Sequence, residues 1–573
     1  MKYTIKYDKP NTQYIPITAE FDVSELDETI LQFPVWRPGR YERSDFVKNV
    51  HSFQVIANKK KIQAKKISKD QWKVDTKGLD QIEVSYKYFA SVLNAGSTFM
   101  DDQQLYVNQV NCLIYIPEQQ SNPCSLKLKI PDDFEIACGV AFEDKIACFK
   151  DFHHLVDSPF IASNQLQHKK FDCKGVTFHL WFLGEVEIAD KVIPDLERYT
   201  ASQIEKFGQF PVDEYHYLYQ IQNIKAYHGV EHQQSTVISL GPAHELYNKL
   251  YDDFLGVSSH ELYHTWNVKA LRPADWFPYD YSKENYSVLG YVAEGVTTYM
   301  GDLFLVESGV KEWEWYKKEF EKLMQRHFDN FGRFNYSVAE SSFDTWLDGY
   351  VPGAPNRKVS IYNEGALLSF MLDVKIRTNS NNKSSLHDVI KTLYEEFALK
   401  KKGYTEEDFK KTVEQFADED LTEFFTNYYN GTHSFETVLS KALEQIGFVM
   451  ELEHNKSWST RILGIVCAVE RGETKVKKIY PGSSADLGGI MLDDEIVFIN
   501  EGTVDGDVDK WVAQFQNNQI DLIVSRKGRK VALSCPHTNK SFFPIYKLKK
   551  AKAPSNLQKR IFKKWCGTDW DEV

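Results

Sequence analysis

The stretch SSHELYHTWN (Ser258 to Asn267) carries His260 and His264 four residues apart, with Glu261 directly after the first. Beyond it, LGYVAEGVTTYMGDLFL (Leu289 to Leu305) is an apolar helical pattern broken by one acid, Glu294. Four residues are about one helical turn, so the two histidines share a face and Glu261 projects beside them. A carboxylate in an apolar helix is costly to bury unless it is paired or bound to a metal. A fold that satisfies both stretches sets two helices together with His260, His264 and Glu294 converging. The motif is not a composition effect. Histidine fills 16 of 573 positions, and with glutamate at about one in fifteen, chance supplies roughly 0.03 HExxH matches per chain of this kind.

Two histidines and a carboxylate are the donor set of a catalytic zinc, which takes three protein ligands and keeps one position open. Thr298, one turn beyond Glu294, is placed to support a ligand from behind. A water made acidic in such a site gives its proton to Glu261, which passes it to the leaving amine, so the expected chemistry is metal-assisted amide hydrolysis. That reaction also needs a hydrogen-bond donor for the oxyanion.

A chain of 573 residues is too long for one core, so three or four domains are expected. Residues 1–168 hold short runs of alternating apolar and polar residues, such as QIEVSYKYFA and SLKLKIP, which predict an antiparallel β domain. Residues 169–455 run strands, a helix and strands again, then from Tyr247 turn helical, an α+β order. A glycine-rich, strand-rich small domain is expected at 456–546. The tail, 547–573, is basic and then acidic and predicts a solvated extension. Within the first domain FPVWRPGRY (Phe33 to Tyr41) is expected to be a rigid turn with an aromatic plug.

The net charge of −12 and pI of about 5.8 do not suit a nucleic-acid binder, which needs a basic surface. No run of 18 apolar residues occurs, so no membrane span is expected. The opening residues hold no apolar run of signal-peptide type, and a cytoplasmic protein is expected. Eight cysteines without a CxxC pair are expected as free thiols.

HELYHTWNVKALRP followed by VAEGVTTYMGDL resembles the glycyl aminopeptidase family of gluzincin metallopeptidases. PVWRPGRYERSDFVKNV, YHGVEHQQST, SSFDTWLDGY and SIYNEGALLSFMLDVKIR fit that family in the same order, across nearly the whole chain. The resemblance implies a thermolysin-like catalytic domain at 169–455 with a helical second half, and a PDZ domain at 456–546. It implies one zinc per chain and a preference for N-terminal glycine or alanine. HGVEH (His228 to His232) resembles the GxMEN-type edge strand of the related zinc aminopeptidases, so Gly229 and neighbouring backbone would hold the peptide and Glu231 would bind its free α-amino group. Tyr362 in SIYNEGALL resembles the tyrosine that stabilises the oxyanion, although Glu364 stands where that family pattern has lysine. RILGI (Arg461 to Ile465) resembles a PDZ carboxylate loop, which would take a peptide C-terminus by strand addition.

Two other functions compete. A zinc endopeptidase would share the metal set but has no use for an amine anchor such as Glu231. A catalytically silent PDZ scaffold would have no chemical need for His260, Glu261, His264 and Glu294 together.

Overall fold

The computed structural model describes residues 1–351 and 353–573. They form two compact units, one of Met1–Tyr316, Asn330–Ile446 and Ser555–Val573, the other of Lys317–Asp329 and Gly447–Pro554. The architecture is α+β, with a β-rich first part and a helical part later in the chain.

The first part of the larger unit is built on sheets of seven, four and three strands. Alternation produces them. In Tyr14–Asp22, Ile15, Ile17, Ala19 and Phe21 are buried while the intervening residues are not, as a pleat covered on one face requires. The domain is not wholly antiparallel. Lys2–Lys6 pairs in parallel with Cys124–Lys129, which is possible because the chain between them is long enough for a crossover.

The next sheet has five strands in the order Gln167–Cys173, Val176–Leu183, Glu214–Ile221, Ser235–Gly241, Ala226–Glu231. Its centre is parallel, and Ala226–Glu231 folds back antiparallel to form one edge. The helix Tyr251–Tyr263 opens with Asp252 and Asp253 in its first turn, where carboxylates meet the positive end of the helix dipole. Tyr291–Val296 is a π-helical turn that runs into the helix Thr297–Glu307. The helix Ile361–Asn379, packed on that turn, is buried along most of its length. Gly295 and Gly365 meet there backbone to backbone, so a Cβ on either would clash with the other.

The smaller unit holds an antiparallel sheet in the order Ile465–Glu470, Glu473–Ile479, Glu495–Ile499, Ile520–Arg526, Arg529–Cys535. It has its own core of Leu463, Ile465, Val476, Ile496, Leu522 and Val524. An antiparallel pair, Phe448–Glu453 with Ile545–Lys550, belongs to the same unit. There Glu321 accepts from Lys547 Nζ at 2.7 Å and from the Leu548 amide at 2.9 Å.

The tail differs from its expectation as a solvated extension. Ile545–Lys550 is a paired strand, and Asn556–Cys566 is a helix with a Ser555–Gln558 capping box. The charges of IFKKWC lie on one face of that helix, while Ile561, Phe562, Trp565 and Cys566 are at most 1% exposed. Averaged composition hides such a stripe. Trp565 Nε1 donates to Tyr299 Oη at 2.7 Å. All eight cysteines are free, and among the described residues no helix is long and apolar enough to cross a membrane.

Trp565→Ala should therefore destabilise the protein by about 3–5 kcal/mol, the usual cost of emptying a buried aromatic site. The check is the denaturant midpoint. A change under about 0.5 kcal/mol would mark Trp565 as a surface residue after all.

Candidate metal centre

Three elements of the larger unit meet at one point. His260 sits in the last turn of Tyr251–Tyr263, and His264 caps its C-terminus. Glu294 lies within the π turn, a feature often found where a helix carries a functional group. His264 Nε2 is 3.0 Å from His260 Nε2 and 3.3 Å from Glu294 Oε2, and His260 Nε2 is 3.9 Å from that same oxygen. The other ring nitrogen of His264, Nδ1, lies 2.7 Å from the Asn267 carbonyl. That contact fixes a proton on Nδ1, so Nε2 is the nitrogen that would give up its proton to take a metal.

Asn267 Nδ2 is held by the Val292 carbonyl at 2.9 Å and by Thr297 Oγ1 at 3.1 Å. Thr297 Oγ1 also reaches the Asn267 carbonyl at 3.3 Å. The supporting threonine is thus Thr297 rather than Thr298. Asn267 docks on the face of Val292 and Ala293, and one turn from Ala293 is residue 297. Thr298, one turn from Glu294, is half-buried.

The edge strand Ala226–Glu231 passes the motif helix closely. A Cβ on Gly229 would overlap Glu261 Oε1, so this approach needs glycine. Glu231, two residues on, faces the same way and is 4% exposed. One ligand-type atom each from Glu231, Glu261 and His264 lies within 4.8 Å of the others, as it does for His260, His264 and Glu294. Glu231 Oε1 and Glu261 Oε2 are buried without a hydrogen-bond partner.

The charges do not balance. Burial pushes the Glu261 carboxyl well above its usual range; His264 pulls it down, and Glu231 and Glu294 push it further up. Burial works against a charge on His264, yet Glu294, Glu231 and Glu261 push its pKa up to about 10. Three carboxylates around two imidazoles make a potential that draws a cation. The donor spacings suit one, since tetrahedral bonds of 2.0–2.1 Å put ligand atoms about 3.3 Å apart. The residues therefore fit a zinc-sized ion. A separate group, His179, Glu214 and His216, fits less well. His216 Nδ1 accepts from Trp181 Nε1 at 3.2 Å, so its other nitrogen carries the proton.

Tyr362, in the first turn of Ile361–Asn379, has its hydroxyl 3.5 Å from that of Tyr350. Burial, then Glu294, Tyr350 and Glu231, push its phenol well above 10, so it is a proton-bearing donor at neutral pH. Glu364 of the same helix is buried, 3% exposed.

The segment expected as a rigid turn takes part directly. Tyr41 Oη donates to Glu294 Oε1 at 2.8 Å, and Arg37, 3% exposed, sits 3.4 Å from His228 Nε2. A Cβ on Gly39, whose φ is +81°, would overlap the Glu231 carboxylate. The signal was available. An arginine between two prolines, with a tyrosine three residues after the second, raises the same question as Glu294.

Residues 2–164 match the family model of the Peptidase M61 N-terminal domain, and residues 253–368 match that of the M61 glycyl aminopeptidase. The chain carries both of these M61 peptidase domains and is a metallopeptidase. Its fold is similar to that of an aminopeptidase N family protein from Idiomarina loihiensis, 24% identical, with 99% of each chain covered and a TM-score of 0.89. An M1 zinc metallopeptidase from Deinococcus radiodurans is 12% identical, with 76% of this chain and 94% of that one covered and a TM-score of 0.47. No curated protein sequence matches.

Gly229→Ala should leave the fold intact and lower kcat/KM about 100-fold, the scale expected when a catalytic group is displaced by about 1 Å. Circular dichroism with a steady-state assay checks this. Full activity in the variant would mean that Glu261 and the strand can separate at no cost.

Proposed function

We propose that the chain is a zinc aminopeptidase that removes small N-terminal residues, glycine or alanine, from peptides with a free N-terminus. One zinc per chain would be held by His260, His264 and Glu294. The observation that carries the reading is Glu231, a buried carboxylate with an unpartnered oxygen on an edge strand beside that donor set. An α-ammonium matches it in charge, and an internal amide does not.

The roles follow from position. The strand Ala226–Glu231 is at the edge of its sheet, where an extended peptide can add alongside it. Glu231 fixes the amino end, so the first peptide bond falls at the histidines. A zinc bound there supplies Lewis acidity and a water of lowered pKa. Glu261, its carboxyl held high by burial and its neighbours, takes the attacking water's proton and delivers it to the departing amine. Tyr362 donates its hydroxyl to the carbonyl oxygen as negative charge grows there.

A zinc endopeptidase is disfavoured by Glu231, which would lie desolvated against an internal peptide bond. A silent scaffold is disfavoured by the unbalanced carboxylates, which serve no packing purpose. The small domain around 456–546 is in our reading of PDZ type. Its edge strand Ile465–Glu470 follows not a loop, as expected for RILGI, but the π-helical turn Ser459–Leu463 capped by Gly464, and the helix Val508–Gln514 lies in the same unit. The Arg461 and Gly464 amides already bond to the Ser457 and Ser459 carbonyls, which weighs against capture of a peptide C-terminus there.

Glu261→Gln should keep stoichiometric zinc and lose activity by about 100- to 10,000-fold, because the amide copies the carboxylate's shape but cannot take the proton. His264→Ala should lose both metal and activity. Elemental analysis with steady-state kinetics decides. Near-normal kcat in the first variant would remove Glu261 from the chemistry, and stoichiometric zinc in the second would break the ligand set.

A further inference from the structure

The Glu294 carboxylate has two oxygens with different neighbours. Oε2 faces the imidazoles of His264 and His260, and Oε1 accepts from Tyr41 Oη at 2.8 Å. A carboxylate can only accept, so the phenol is the donor. Tyr41 is 253 residues away in sequence, on the β-rich first part of the chain. It is held there tightly. Its ring stacks on Trp276 at 4.6 Å and 17°, and Trp276 Nε1 is anchored on the Asn285 carbonyl at 2.7 Å. The segment before it is pinned as well. The Val35 amide donates to the Tyr281 carbonyl at 2.9 Å, Trp36 Nε1 donates to the Asp280 carbonyl at 2.7 Å, and the Arg40 amide closes a turn on the Arg37 carbonyl at 3.2 Å.

We propose that Tyr41 is a positioning residue for the metal centre. Its hydroxyl occupies Oε1 of Glu294, fixes the carboxylate plane and leaves Oε2 as the single oxygen turned to the histidines. The first β-rich domain thereby supplies a part of the centre that the HExxH helix and the π turn lack. Gly39 against Glu231 and Arg37 against His228 show the same segment seated along the edge strand Ala226–Glu231. The inference rests on the ligand set proposed above. Hydrogen-bond partners of metal ligands are typically worth 10- to 100-fold in metal affinity, because a free carboxylate must be re-ordered each time the ion binds.

Tyr41→Phe removes the hydroxyl and keeps the stacked ring. The measurement is the zinc dissociation constant by chelator competition on the full chain, together with the melting temperature of the metal-free protein. Tyr86→Phe is the control, since it deletes another buried hydroxyl of the same domain, one that bonds to the Cys112 carbonyl at 2.7 Å and accepts from the Ile114 amide at 3.3 Å rather than from a residue of the metal centre. The expected result is zinc binding weakened 10- to 100-fold in Tyr41→Phe and unchanged in Tyr86→Phe, with similar metal-free melting temperatures. Equal zinc affinity in Tyr41→Phe and wild type overturns the inference alone. Equal weakening in both variants also overturns it, since general loosening would then be the cause. A wild-type chain that takes up no zinc overturns the ligand set and this inference with it.

Discussion

The structure turns on an excess of buried negative charge. Glu231, Glu261 and Glu294 are each no more than 5% exposed, and they face one pair of imidazoles. Isolated buried carboxylates cost several kcal/mol each, and no lysine or arginine forms an ion pair with any of them among the described residues. A protein keeps such an arrangement when cations complete it. The buried Arg37 offsets part of the charge on Glu231 and Glu261, and in the proposed function a metal at the histidines and Glu294 and a substrate ammonium at Glu231 complete it.

Much of the surrounding fold can be understood as support for that charge. The motif helix comes to the edge strand at Gly229, which is why that strand carries a glycine in its middle. Asn267 ties the end of the motif helix to the π turn and sets the tautomer of His264. Ile361–Asn379 brings Tyr362 within electrostatic reach of Glu294 and Glu231. The segment Phe33 to Tyr41 adds a wall from the β-rich domain. Farther out, Tyr299 of the Glu294-bearing helix accepts from Trp565 and donates to Asp373 Oδ2 at 2.7 Å, so even the tail helix buttresses the element that carries Glu294.

What the sequence disclosed follows from distance along the chain. His260, Glu261 and His264 share one helical turn, so their spacing alone puts them on one face. Glu294 stood out because one acid interrupts an apolar helix. Gly229, Glu231 and Tyr362 came through resemblance, since nothing in a single edge strand or helix start announces them. Tyr41 is not legible as part of the centre, because its partner is 253 residues away and its neighbours read as a stiff turn. Thr297 was missed in favour of Thr298 because helical spacing was counted from Glu294, whereas Asn267 docks on Ala293. The tail reads as solvated because lysines interrupt its apolar residues along the chain, although the apolar ones of Asn556–Cys566 fall on one side.

The central claim is that Glu231 reads a free α-ammonium. The direct measurement is kcat/KM for a glycyl amide and for its N-acetylated counterpart, in wild type and in Glu231→Ala. Leaving a buried carboxylate unpaired costs roughly 3–5 kcal/mol, so acetylation should lower the wild-type value by at least on the order of 100-fold, and Glu231→Ala should narrow that gap from both sides. Wild-type enzyme that cleaves the acetylated substrate as well as the free one would contradict the account and leave the endopeptidase in its place.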